Sequence, residues 1–254
     1  YNLAISPSYA QDQTIYAATS TAGVFVSHNG GQTWQEMGFS GRTGFDPVHL
    51  AISPAYATDP TLFAASIAGV YRWLDGRWQE PQEGLGNLFP VSALAISPNF
   101  PTDGTLFVGG DYRRPEVFIS TDHGESWMSA SEGLPKAEIA SLVISPNYAE
   151  DGTAYAWLQY QGLYRTTNGG QSWERVKEEE GWYVQSTAIA DQTLFVGALY
   201  GILHRSDDGG FTWQILGSDL PPDTVWVKAL AVSPEFARDA TLFAGLDWGI
   251  YKST

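Results

Sequence analysis

The residues that could do chemistry in this chain are few and scattered. Asp46 and Asp247 are carboxylates in separate connecting segments. A glycosidase would use such a pair at a separation of ~5–10 Å, which sequence alone does not give. Arg113 and Arg114 are the one concentrated positive feature. They could take a carboxylate or sulfate through bidentate hydrogen bonds, or simply pair with acids in their own loop. His28, His49, His123 and His204 fit no His-x3-His spacing, so no zinc site is expected. No Asp-x-Asp-x-Asp-Gly run offers calcium a loop, and no glycine-rich loop with its lysine offers one to phosphate. Cysteine is absent, which removes disulfides, thiolate metal sites and a cysteine nucleophile. No metal or cofactor is expected.

Aromatic side chains are the more telling inventory. Phe39, Phe45, Phe89, Tyr112, Trp157, Tyr160, Trp182, Tyr183, Tyr200, Trp226 and Trp248 fall in connecting segments that differ from one part of the chain to the next. Loops are ordinarily polar, so such a cluster suggests a recognition surface. The competing reading is that several of these rings are packing. The candidates for contact with a partner are Phe45, Tyr112, Arg113, Trp182, Trp226 and Trp248.

Composition narrows the partners. With 28 acidic and 13 basic residues the net charge is −15. That field repels nucleic-acid phosphates and anionic lipid. No apolar run reaches the ~18 residues of a membrane span, so insertion is not expected.

The elements that position these residues are written as a repeat. Ser27-His-Asn-Gly-Gly-Gln-Thr-Trp34 recurs as Ser120–Trp127, Thr166–Trp173 and Ser206–Trp213, with a shortened copy from Trp73 through Asp75 to Trp78. In step with it run Leu3-Ala-Ile-Ser-Pro7 and four close copies, then Thr14-Ile-Tyr-Ala17 and Gly23-Val-Phe-Val26 with five copies each. Each phrase is short, apolar and bounded by turn residues, the signature of strands rather than helices. A unit of four strands and roughly 44 residues is the size of a β-propeller blade. The chain is therefore read as all-β, one propeller domain of six recognisable four-stranded blades, the sixth incomplete with three strands. The units run approximately over 1–46, 47–90, 91–139, 140–183, 184–226 and 227–254.

The eight-residue phrase resembles the Asp-box, or BNR, motif Ser/Thr-x-Asp-x-Gly-x-Thr-Trp of sialidases, sortilin-type receptors, xyloglucanases and photosystem II stability/assembly factors. The resemblance implies a box at each turn between strands three and four, with a structural role for Asn29, Trp34, Asp75, Trp78, Asp122, Trp127, Asn168, Trp173, Asp208 and Trp213. An Asp or Asn there can bond turn amides. The tryptophan would wedge between neighbouring blades. Sialidase chemistry does not carry over, because its Arg-Ile-Pro segment has no counterpart and Arg72, Arg165 and Arg205 sit beside the boxes.

The expected function is a non-catalytic binding or scaffold propeller that recognises a protein partner through its variable face, by resemblance to assembly factors and sortilin-type receptors. A glycan-binding or glycan-active propeller is the alternative. An extracellular, periplasmic or cell-surface location of bacterial type is expected. The sixth unit stops at Ser253-Thr254, where a box would open. The chain is therefore expected to continue, or its open edge to be covered by a copy or another chain.

Overall fold

The computed structural model describes residues 2–19, 22–38, 47–79, 84–85, 90–178, 182–217 and 226–253. The chain divides into two compact units, Tyr1–Ala130 and Ser131–Thr254. Each holds three antiparallel sheets, every one a meander in chain order.

In the first unit, blade one is β1 (Asn2–Ile5), β2 (Ile15–Thr19), β3 (Gly23–Ser27) and β4 (Gln35–Glu36), with the one-turn helix α1 (Tyr9–Asp12) after β1. Blade two is β5 (Pro47–Ile52), β6 (Leu62–Ser66), β7 (Gly69–Leu74) and β8 (Arg77–Gln79). Blade three is β9 (Val91–Ile96), α2 (Phe100–Asp103), β10 (Leu106–Gly110), β11 (Val117–Ser120) and β12 (Met128–Ser129). In the second unit, blade four is β13 (Ile139–Ile144), α3 (Tyr148–Asp151), β14 (Ala154–Leu158), β15 (Gly162–Thr166) and β16 (Glu174–Lys177). Blade five is β17 (Ser186–Ala190), β18 (Thr193–Gly197), β19 (Leu203–Ser206) and β20 (Gln214–Leu216). Blade six is β21 (Val227–Val232), α4 (Phe236–Asp239), β22 (Leu242–Leu246) and β23 (Gly249–Ser253), three strands among the described residues. The expected all-β fold with propeller blades is thus what the chain adopts.

Second strands such as β6, β10 and β14 are buried along their whole length. That burial on both faces accounts for their unbroken apolar phrases. Fourth strands such as β4 and β12 are exposed two-residue strands; β4 is accordingly polar, whereas β12 leaves Met128 exposed. Adjacent blades are pinned by aromatics: Phe63 of β6 meets Phe100 of α2 edge to face at 5.7 Å, and Phe195 of β18 meets Phe236 of α4 at 5.3 Å. Such pairs add to plain area burial.

The Ser-Pro segments close on themselves. The hydroxyls of Ser6, Ser53, Ser97, Ser145 and Ser233 donate to Asp12, Asp59, Asp103, Asp151 and Asp239 at 2.5–2.8 Å. In four of the five the intervening residues form a single helical turn that sequence periodicity does not reveal. One turn is too short to carry a 3.6-residue pattern.

The Asp-box phrases lie between the third and fourth strands and share one hydrogen-bond plan. In blade five, Ser206 Oγ donates to Asp208 Oδ1 at 2.8 Å and accepts from Gly210 N at 2.8 Å, while Thr212 N and Oγ1 donate to the Asp208 carboxylate. Asp122 does the same with Ser120 and Ser126. Asn29 and Asn168 substitute an amide oxygen. Trp127 and Trp173 are buried and Trp213 is half-buried, whereas Trp34, in the first blade, is 43% exposed.

The copy in blade two is not a box. Leu74 pairs with Arg77, so Asp75 and Gly76 are the two central residues of a tight hairpin, at φ 52° and 75°. Positive φ at both positions is the type I′ geometry that suits strand twist, and Asp-Gly is its preferred sequence. Asp75 therefore serves a hairpin rather than an Asp-box network. Trp73 and Trp78 face each other across it, edge to face at 5.2 Å, and Trp78 Nε1 donates to Met37 O.

The electrostatics of these turns set an acid response. Donation by the Thr212 hydroxyl and amide, with help from Ser206, holds the Asp208 carboxyl down at about 2. Asp122 is also lowered; partial burial opposes its ionisation, but the donors from Ser126 and Ser120 outweigh it. His49, half-buried in β5, is pushed down to about 4 by loss of water around its ring. Ordinary values for Asp and His are near ~3.9 and ~6.5. Between pH 6.5 and 4 the unfolded chain thus holds a proton at His49 that the folded chain lacks, and stability falls as pH drops. Below pH ~3.9 the same sign applies to Asp208, down to about 2. The urea midpoint is expected to decline through both windows. His49→Gln should flatten the upper one and Asp208→Asn should shrink the lower; an unchanged profile in both variants would refute the assignment.

Candidate functional site

The most exposed aromatics stand at one end of the blades, on the turns between second and third strands. In the second unit these are Tyr160 in blade four, Tyr200 in blade five and Trp248 in blade six, each at least 70% exposed. Tyr160 and Tyr200 adopt φ of 60° and 63°, and Tyr183, on the connection into blade five, adopts 47°. A bulky residue in the left-handed region is uncommon and costs on the order of 1–3 kcal/mol, strain that clusters at functional positions. Tyr183 meets Tyr160 edge to face at 5.6 Å.

Main-chain hydrogen bonds tie two of these turns to the connecting segments beside them. Gln159 N donates to Glu138 O, Leu199 N donates to Trp182 O, and Leu199 forms an isolated bridge with Trp226. Trp226 N in turn donates to Asp247 Oδ2 at 2.8 Å. Lys228 lies at a break in the register of β21 against β22, and its Nζ meets Asp247 Oδ1 at 2.8 Å. Bulges commonly re-aim a side chain in this way. The result is a backbone-braced rim that carries exposed rings, with one lysine–carboxylate pair beside Trp248.

The sequence-derived candidates fare differently. Trp248 is 77% exposed on this rim. Trp182 is half-buried instead: it stacks on Trp157 at 5.5 Å and on His204 at 3.5 Å, with Trp213 edge-on at 5.3 Å and Lys177 Nζ 5.3 Å above the ring. Its indole fills the space between blades four and five, so it is a packing residue. Trp226 is half-buried and acts mainly through its backbone. Phe45 and Asp46 lie outside the described residues.

In the first unit, Tyr112 is 74% exposed on the turn between β10 and β11. The neighbouring arginines are locally paired. Arg113 reaches Asp111 Oδ2 through Nε at 2.8 Å and Nη2 at 2.6 Å. Arg114 contacts Glu116 at 3.0 Å, donates to Leu85 O and lies over Phe118. The hydrogen bond from Arg113 to Asp111 raises its already high pKa. A loop that holds its own acids is therefore what this pair builds.

Tyr160 and Tyr200 belong to the surface although they were not among the six chosen from sequence. The signal available was positional: Tyr160, Tyr200 and Trp248 each stand one or two residues before the glycine that opens or precedes the third strand. Among the described residues no group of histidines and carboxylates could hold a metal ion. No helix there is long and apolar enough to cross a membrane.

A family model described as BNR/Asp-box repeat matches residues 25–36. No curated protein matches the chain. Among solved structures, an ancestral GH74 enzyme superposes with a TM-score of 0.76 at 17% identity, over 100% of this chain and 38% of that one. The extracellular domain of the one component system BT4673 from B. thetaiotaomicron gives 0.72 at 16% identity, over 100% and 32%. YCF48 bound to D1 peptide gives 0.68 at 16% identity, over 94% and 74%. The chain thus spans about a third of the first two, and at these identities the likeness is one of fold: a β-propeller that carries Asp-box repeats.

Proposed function

We propose that this chain is a non-catalytic binding propeller that recognises a protein partner through the turns between second and third strands. The observation that carries the reading is the row of exposed rings on three successive blades, Tyr160, Tyr200 and Trp248, on a rim braced by main-chain hydrogen bonds. Rigid aromatic side chains give large contact area at low entropic cost, and they dominate the energetics of protein interfaces. The net charge of −15 favours a basic or neutral partner surface. YCF48, a propeller of the same fold, is seen bound to a peptide, which supports the class of partner. Asp247 contacts Lys228 and the Trp226 amide, an arrangement that suits a structural carboxylate better than a general acid. We place the domain outside the cytoplasm, as with the extracellular domain of BT4673.

A triple variant, Tyr160→Ala, Tyr200→Ala and Trp248→Ala, is expected to lose at least tenfold in partner affinity with an unchanged melting temperature. Crosslinking capture followed by titration with the identified partner reads the first, and circular dichroism the second. A glycan array run in parallel tests the alternative suggested by the GH74 fold. Glycan binding that this triple variant abolishes, with no protein captured, would replace the reading.

A further inference from the structure

Two copies of the box carry asparagine where the other two full copies carry aspartate, and in both the next residue is glycine. These are Asn29-Gly30 and Asn168-Gly169, the only Asn-Gly pairs in the sequence. The fold dictates each half of the pair. The side-chain oxygen accepts from turn donors, and the residue after it stands at φ +67° or +73°, where glycine is favoured. The same pair is a chemical weak point. The glycine nitrogen, with no Cβ beside it, can attack the asparagine Cγ, expel ammonia and close a succinimide. Water then opens that ring at one carbonyl to aspartate or at the other to isoaspartate.

In the closed box both reacting groups are held. Gly169 N donates to Gly152 O and Gly30 N donates to Gln13 O, each at 3.0 Å. Asn168 Oδ1 accepts from Thr166 Oγ1 at 2.8 Å and from Ser172 N at 3.0 Å, while its Nδ2 donates to Ser172 Oγ at 2.9 Å. Asn29 makes the matching three bonds with Ser27 and Thr33. Cyclisation has to break this set, turn the side chain towards the glycine nitrogen and take the proton that the Gly152 or Gln13 carbonyl holds. The box must therefore open first, a local event of the kind folded chains undergo well short of global unfolding.

What the box does with the product is written in its other copies. Asp122 and Asp208 occupy the same seat, and the hydroxyls of Ser126 and Thr212 donate to the carboxylate there. A hydroxyl both donates and accepts, so Ser172 can turn from accepting the Asn168 amide to donating to an aspartate with no heavy atom displaced. Isoaspartate instead adds a methylene to the main chain between two fixed points, the Gly152 carbonyl and the Ser172 amide. We propose that Asn29 and Asn168 are modification sites whose deamidation is gated by opening of the box, which then takes back the aspartate product and excludes the isoaspartate one. Each aspartate formed adds a negative charge to a chain already at −15 and leaves its blade closed.

The chain is aged at mildly alkaline pH, native and in parallel in urea, and the tryptic peptide 166–175 is followed by mass spectrometry. Loss of the Asn168 amide is expected to be at least about tenfold slower in the native chain, since only the open fraction reacts. Thr166→Val removes the hydroxyl bonded to Asn168 Oδ1 and to Gly170 N. It should speed the native reaction at least about threefold and leave the rate in urea unchanged. Ser172→Ala, which removes only the acceptor of Asn168 Nδ2, reads the same gate through a milder change. Asn168→Asp should keep the urea midpoint of the parent at neutral pH. When the urea-aged chain is refolded, the folded fraction should hold aspartate and the unfolded fraction should be enriched in isoaspartate. Equal rates with and without urea, native rates that neither variant alters, a lowered midpoint for Asn168→Asp, or isoaspartate shared equally by the two fractions would overturn the proposal.

Discussion

Trp127→Ala is expected to lower the unfolding free energy by about 3–5 kcal/mol, the range for truncation of a large buried aromatic. Trp127 is only 4% exposed and clusters with Ala65 and Val70 of blade two, Leu106, Val108 and Phe118 of blade three, and Leu85 of the connection between them. Its Nε1 is buried with no hydrogen-bond partner among the described residues. The loss is thus transfer plus cavity, not a broken hydrogen bond. The slot is framed by β-strands on both sides, which limits collapse and favours the upper part of the range. Trp34, at the same place in the first blade, is 43% exposed and donates to Gly31 O. Its truncation should cost on the order of 1 kcal/mol, since over two-fifths of its area never leaves water. Urea unfolding of the two variants reads the difference. Equal shifts would mean that the box tryptophan acts within its own turn and does not wedge between blades.

The fold was legible because four phrases recur in the same order from unit to unit, so a weak local signal is read several times over. The stretches that escaped notice are those too short or too local to carry a period. The helical turns at Tyr9, Phe100, Tyr148 and Phe236 are one turn long. The turn at Asp75 looks like an eroded box in sequence, although Asp-Gly between apolar runs is itself a hairpin signal. The candidate surface was legible only in part. Trp182 and Trp248 look alike in sequence, as tryptophans in variable segments, yet one is stacked between Trp157 and His204 and the other is exposed. Which ring faces water depends on its neighbours in the next blade, and no local pattern encodes that. The charge of Arg113 was misleading for the same reason: Asp111, two residues earlier, already holds the guanidinium.

Gly133→Ala should be nearly as damaging as loss of a box tryptophan, on the order of 3 kcal/mol once backbone strain and a broken hydrogen bond are added. Glu132-Gly133-Leu134 repeats Glu83-Gly84-Leu85, a phrase on the connection between blades. At Gly133 φ is +86°, and an added Cβ would lie 2.2 Å from the carbonyl oxygen of Trp173. Gly84 meets Trp127 O in the same way, at 1.9 Å. The obstacle is main chain, so no rotamer change relieves it. Trp173 N donates to Glu132 O at 2.9 Å, and a shift of the connection would break that bond. Gly76 provides the control: its φ is +75°, but nothing lies within 4 Å of the added atom. Gly76→Ala should therefore carry conformational strain alone, about 1 kcal/mol. A Gly133→Ala variant no less stable than Gly76→Ala would show that the connection yields, and that the close approach of the two main chains is not what seats Trp173.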